Sequence, residues 1–345
     1  MVKNNNLQQR IEYIDICKAL AIFAMVFCHI GLRLSSSNAD LARWIHLWHM
    51  PIFFILSGLV LNPLKWLGWD KYQKFAVSRF KSILIPYLFW GFICNCYLYI
   101  VSNYLMKSSN ALTLNDFVCT SFDFNTDTIS AFRWFLPAIF LTEIIFVAVS
   151  NIIGIKKYLA SLYIMVAIWG GYLVEYKLMP TVPFALNVIP FTLGFYAVGF
   201  LFKDYILRFS FRHKVTLFFI GAFICIWYFC PIDVNVRTSY YHPLYLSWFL
   251  CIAICLSIIF IVKYFEGFIM SSILFSSIRF LGRNTLLIYL LHYEVLRIIP
   301  WKIFVIENSF ELTIMQAVST FGVLFVLSFA IRFINKYLAW SLGKF

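Results

Sequence analysis

The stretch YIDICKALAIFAMVFCHIGLRL, Tyr13 to Leu34, decides the fold. It is long enough to cross a bilayer as one helix, which takes about 20 mostly apolar residues. Yet it carries Asp15, Lys18 and His29. Ionisable groups at membrane depth are costly and usually face a protein interior or a water-filled cavity. Lys18 and His29 are eleven residues apart, three helical turns plus roughly 20°, so both fall on one stripe about 16 Å apart along the axis. One helix thus presents a cation towards one end and an imidazole towards the other. A plainer alternative is that Lys18 reaches to the headgroups and His29 packs as a hydrogen-bonded residue.

Composition agrees with a membrane protein. Hydrophobic residues make up 62% and charged residues 12% of the 345, where a soluble domain carries about 25% charged. Mean hydropathy is +0.84. The 39 Phe, 20 Tyr and 11 Trp suit lipid-facing surface and interfacial belts. Most of the 9 cysteines lie inside apolar runs, where cysteine behaves as a small apolar residue. Their number is odd and no CxxC pair has metal spacing, so neither a disulfide framework nor a metal site is expected. The polar start MVKNNNLQQRIEY, followed by a span holding Asp15 and Lys18, is not a cleavable signal peptide.

Outward from the first span, the apolar periods predict ten crossings, at about 13–34, 46–63, 83–106, 134–154, 157–175, 181–202, 214–231, 243–262, 284–304 and 311–334. Pro51, Pro183 and Pro190 fall inside spans, where they are read as kinks. With no linker-like tract and no internal repeat, residues 1–345 read as one all-α polytopic helical bundle over about 13–335. Charge asymmetry orients it. With the N-terminus in the cytoplasm, only Arg33, Arg43, Lys107, Arg133, Lys177, Arg237, Arg297 and Lys302 of the 28 Lys and Arg fall outside, and Lys18 lies within a span. Both termini are then cytoplasmic, and a long acidic loop at about 107–132 is external. The charge of +13 follows from topology, and no nucleic-acid partner is implied. The most basic stretch, KWLGWDKYQKFAVSRFKS (Lys65 to Ser82), has two readings: topogenic charge, or a docking site for a polyphosphate at the cytoplasmic mouth, with Arg79 and Lys81 abutting the third span.

These residues resemble the acyltransferase-3 family of polytopic membrane O-acyltransferases, and within it the fucose 4-O-acetylase-like subfamily. The family's first span has a basic residue, ten residues and a histidine, here Lys18 to His29, with Lys where many members carry Arg. Further likenesses are WHMPIFFILSG (Trp48 to Gly58), the basic pair Arg79-Phe80-Lys81 followed by IPYLFW, RWFLPAIFLTEIIF with Trp134 and Glu143, and LGRNTLLIYLLH ending in His292. The likeness covers about residues 10 to 335 and leaves no room for the hydrolase-like domain that some relatives carry at the C-terminus.

The resemblance implies acetyl-CoA as donor substrate, no tightly bound cofactor, and a hydroxyl of a glycan or lipid-linked sugar as acceptor, at a bacterial inner or plasma membrane. The layout agrees. Lys18, Arg79 and Lys81 lie on the cytosolic side, where the anionic nucleotide of the donor would dock. His29 lies further out and is the expected general base, since neutral imidazole suits proton transfer near neutral pH. A covalent acyl-His29 relay is a variant. Asp15 lies too far down the helix to orient His29, so Glu143 is the expected partner, the alternative being a structural hydrogen bond. His292 and Trp134 are read as acceptor-binding, or as a packing residue and an interfacial anchor. His46 and His49, at the entry of the second span, are expected to be solvated. Ser57-Gly58 is read as a close helix contact. A competing function is a glycolipid or polysaccharide-precursor transporter, although the internal repeats common in transporters are not seen.

Overall fold

The computed structural model describes residues 11–34, 39–101, 103, 134–154, 157–175, 183–208, 232–238, 240–301 and 308–344. The first apolar stretch forms helix α1 (Glu12–Gly31). It is buried on nearly all sides, as a helix apolar all round should be. It follows, in chain order, that α2 is Ala39–His46, α3 Pro51–Val60, α4 Trp69–Arg79 and α5 Ile85–Ile100, the last two joined by a π-turn at Phe80–Leu84. Next come α6 (Phe135–Ile153), α7 (Lys157–Glu175), α8 (Ile189–Leu201) and α9 (Lys203–Arg208). A two-stranded antiparallel hairpin, β1 (Asp233–Asn235) with β2 (Tyr240–His242), precedes α10 (Leu244–Ser271), α11 (Phe275–Arg283), α12 (Thr285–Ile298) and α13 (Ser309–Tyr337). Helix α1 touches α2, α3, α10, α11, α12 and α13, so it is the hub of the bundle.

Among the described residues, five helices are long and apolar enough to cross a membrane: α1, the continuous Trp69–Ile100, α6, Leu246–Ser271 of α10, and α13. They match five of the ten expected spans. The expected spans at 46–63, 181–202 and 284–304 contain α helices of only 10, 13 and 14 residues, shorter than the roughly 20 residues of a straight crossing. The apolar part of α7 is Ser161–Leu173. The expected span at 214–231 and the loop at 107–132 lie outside the described residues. Three prolines expected as kinks start elements instead. Pro51 and Pro190 occupy the first turns of α3 and α8, and Pro183 opens a 3-10 turn. The proline nitrogen has no hydrogen to donate, and a helix's first turn asks for none.

Close crossings hold the bundle together. A Cβ on Gly58 would sit 2.0 Å from the carbonyl oxygen of Tyr196, and one on Gly199 would sit 1.9 Å from that of Ile55. Helices α3 and α8 therefore meet backbone to backbone, as the Ser57-Gly58 pair suggested. Gly282 of α11 lies equally close to the Asp15 carbonyl of α1. The same crossing is clamped by charge: Arg283 reaches Asp15 and Glu12, each at 3.3 Å, and Arg279 reaches Glu12 at 3.1 Å. On α13, Leu324, Leu327, Ile331 and Ile334 face inward, while Phe321, Phe325, Phe329 and Phe333 are exposed, an apolar face suited to lipid. Cysteines 17, 28, 94, 251 and 255 are buried among apolar side chains, in keeping with their sequence context.

Candidate active site

Near the C-terminal end of α1, the His29 ring lies against His292 of α12. The rings stack at 5.0 Å between centroids, and His29 Nδ1 is 2.8 Å from His292 Nε2. Their protonation follows from the partners. His292 Nδ1 lies 2.9 Å from the Tyr289 carbonyl and 3.0 Å from that of Ile288, so it must donate. In a neutral imidazole the other nitrogen then accepts, so His292 Nε2 receives the proton of His29 Nδ1. The lone pair of the His29 ring is therefore on Nε2. The two neutral rings form a directed relay anchored on backbone carbonyls.

His29 opens on a cavity of about 270 Å³ lined by Met25, Leu32, His46, His49, Met50, Trp134, Val234, Asn235, Val236, Arg237 and Tyr289. The hairpin forms one wall, with β1 against α2. Tyr241 of the hairpin stacks on Phe191 at 4.3 Å and anchors it to α8. The expectation that His46 and His49 are solvated is corrected for His49, whereas His46 is half-buried. Both line the cavity, and His49 is buried with Nδ1 donating to the Ile45 carbonyl at 2.9 Å. The chain turns at Leu47–Met50 and re-enters as α3, which takes His49 inward. Trp134, the expected anchor or sugar platform, is part of the same wall as His29.

The expected pairing of His29 with Glu143 is not formed. Glu143 of α6 is buried and pairs with Arg79, Nε to Oε2 at 2.8 Å. Lys18 acts on the same carboxylate electrostatically. Glu143 thus belongs to the Lys18 end of α1, about 16 Å from His29 along the helix. The buried Tyr196 hydroxyl, also within electrostatic reach of Glu143, has no hydrogen-bond partner among the described residues. Arg79 and Lys81, expected to act as a pair, divide. Arg79 turns to Glu143, whereas exposed Lys81 lines an open basin of about 780 Å³ with Asp70, Gln73, Lys74, Val77, Ser78, Ser82 and Gly343. Lys81 stands within the π-turn, which begins directly after Arg79. Its Ile85 N–H reaches back to Phe80, and Pro86, with no N–H, makes no bond to the preceding turn.

The structure thus gathers Lys18, Arg79 and Glu143 at one level of α1 and His29, His292 and Trp134 at another. Sequence reasoning did not find Asn235 and Arg237, which stand in a short polar hairpin with no motif. A family model for the acyltransferase domain matches residues 11–333, most of the chain. The comparison with curated proteins and that with solved structures gave no match.

Proposed function

The chain belongs to the acyltransferase-3 family and is a membrane acyltransferase, and we propose that it transfers acetyl from acetyl-CoA to a hydroxyl of a cell-surface glycan or lipid-linked sugar. The observation that carries this reading is the relay that leaves the His29 lone pair on Nε2, in a ring that borders a cavity. An acceptor hydroxyl in that cavity gives its proton to His29 Nε2. Its oxygen attacks the thioester carbonyl, the C–S bond breaks, and the thiolate leaves with the proton that His29 held. The products are the acetyl ester and free CoA thiol. His292 is a positioning residue, since it sets the tautomer of His29 and touches no substrate in this scheme.

The donor is read onto the other end of α1. Lys18, Arg79 and Lys81 supply charge for its phosphates, with Lys81 in the basin and Arg79 paired with Glu143. The ion pair with Glu143 fixes the Arg79 guanidinium in place, where its other N–H groups are available to phosphate in this reading. Trp134 offers an aromatic face for the sugar. In this proposal the donor binds on the cytoplasmic side of a multi-pass bacterial inner-membrane protein with both termini inside, a reading supported by the distribution of Lys and Arg along the sequence.

The test is His29→Gln, which keeps polarity and hydrogen bonding but is not a base. At equal membrane abundance, transfer of labelled acetyl should fall by about 10²–10⁴, the usual contribution of a general base. A near wild-type rate would make His29 a structural residue and end this mechanism.

A further inference from the structure

The cavity that His29 borders holds a second buried imidazole, for which the transfer step has no role. His49 stands in the turn between α2 and α3, and only 7% of its surface is exposed. Its Nδ1 lies 2.9 Å from the Ile45 carbonyl, so Nδ1 donates and the lone pair of the neutral ring is on Nε2. The ring lines the same cavity as His29 and lies within electrostatic reach of it. His46 packs beside it, with ring centroids 5.4 Å apart.

Holding the turn accounts for only half of this ring. The Ile45 carbonyl already receives the backbone N–H groups of Trp48 and His49, at 3.1 and 3.0 Å, so the turn is closed without the imidazole. His292 provides the contrast. Both of its nitrogens are engaged, Nδ1 with backbone carbonyls and Nε2 with His29. His49 Nε2 makes no hydrogen bond to the described residues. A buried acceptor is normally given a donor by protein, water or ligand. Water can fill that place until a sugar hydroxyl displaces it. At about 270 Å³ the cavity is at the small end of ligand pockets and suits one sugar ring rather than a chain of them. Two lone pairs on its wall therefore call for two hydroxyls of one ring.

We propose that His49 is an acceptor-binding residue whose Nε2 accepts a hydrogen bond from a second free hydroxyl of the sugar ring that reacts at His29. The acceptor is accordingly a sugar with at least two free hydroxyls on one ring, and His49 selects which of them is acetylated. The inference rests on His29 as the base. It concerns how the sugar is held and adds no step to the transfer.

Purified full-length protein is assayed for labelled acetyl transfer to the methyl pyranosides of glucose, galactose and mannose. The acetylated position on the best of them is located by NMR, and each monodeoxy analogue of that sugar is then compared. Removing one particular hydroxyl other than the reacting one should lower kcat/KM about 5- to 150-fold, the usual effect of stranding a buried acceptor. In His49→Leu the full sugar should fall by a similar factor, and its deoxy analogue should lose no more than about twofold further, because the two changes remove the same contact. His49→Gln offers an amide oxygen to the hydroxyl and should restore part of the preference. A packing role would lower the rate with every sugar alike and keep the deoxy penalty. The inference is refuted if no second hydroxyl matters, if the penalty survives in His49→Leu, or if no glycoside is acetylated while the endogenous glycan of source membranes is. His29→Gln separates the two readings. It should abolish transfer to every acceptor, and a near wild-type rate would remove the base while leaving the His49 preference standing. Failure to label both the glycosides and the membranes would end the proposed transfer itself.

Discussion

Replacing His292 by leucine tests the relay more sharply than removing His29 itself. His29 donates from Nδ1 to His292 Nε2 across 2.8 Å, and His292 is held by two backbone carbonyls. Leucine removes the acceptor and leaves a buried N–H deprived of that bond. Such a loss costs about 1–3 kcal/mol. The ring can relieve it by moving its proton to Nε2 or by rotating, and either change withdraws the lone pair from the cavity. The reactive tautomer is then disfavoured by the same amount, so turnover should fall roughly 5- to 150-fold. His292→Gln offers an amide oxygen to the same N–H and should stay within about tenfold of wild type. In the double variant His29→Gln/His292→Leu, transfer should be no lower than in His29→Gln alone, because the two residues act as a unit. The assay is labelled acetyl transfer per mole of purified, monodisperse protein. A His292→Leu enzyme with wild-type turnover would refute the relay.

Glu143→Gln should weaken acetyl-CoA binding by about tenfold in a calorimetric titration, because Arg79 loses the carboxylate that orients it; unchanged donor affinity would detach Glu143 from the donor site. Gly199→Ala puts a methyl 1.9 Å from the Ile55 carbonyl, against backbone that has no side-chain slack. Thermal unfolding in detergent should show a loss of about 1–3 kcal/mol, and an unchanged midpoint would show that α3 and α8 can separate freely. A cytoplasm-only reporter joined after Lys344 should be active, and activity of an export-only reporter at that junction would reverse the proposed orientation.

The hub helix was legible because its evidence is local. An apolar run of sufficient length predicts a span, and the eleven-residue step from Lys18 to His29 puts both on one stripe whatever surrounds them. The partners of those residues were less accessible. His292 is 263 residues from His29 in sequence, so their contact is a product of tertiary packing. A likeness of motif singled out the residue without indicating what it would bond. Glu143 shows the limit in another way. Helix α6 gathers Thr142, Glu143, Ser150 and Asn151 on one half of its circumference, which marks an inward side but not the neighbour that the carboxylate meets. The facing side was readable, the partner was not, and Glu143 turned to Arg79. The burial of His49 depended on a turn at Leu47–Met50, four residues that carry no turn signature.

The separation along α1 also constrains what part of the donor can travel. The phosphates carry charge that a bundle core accepts only beside cations. Among the described residues of the core, such cations are found at the level of Lys18, where Arg79 and Glu143 are engaged with each other. From there to His29 the buried side chains on α1 are apolar, including Ile22, Met25 and Val26. The pantetheine arm and thioester of the proposed donor are uncharged, so burial among these side chains costs them far less than it would cost the nucleotide. On this reading the distance between the two ends of the stripe does chemical work. It keeps the charged half of the donor on one side, delivers the acyl group to a site that opens towards the acceptor, and leaves proton transfer to a pair of neutral imidazoles held by backbone carbonyls.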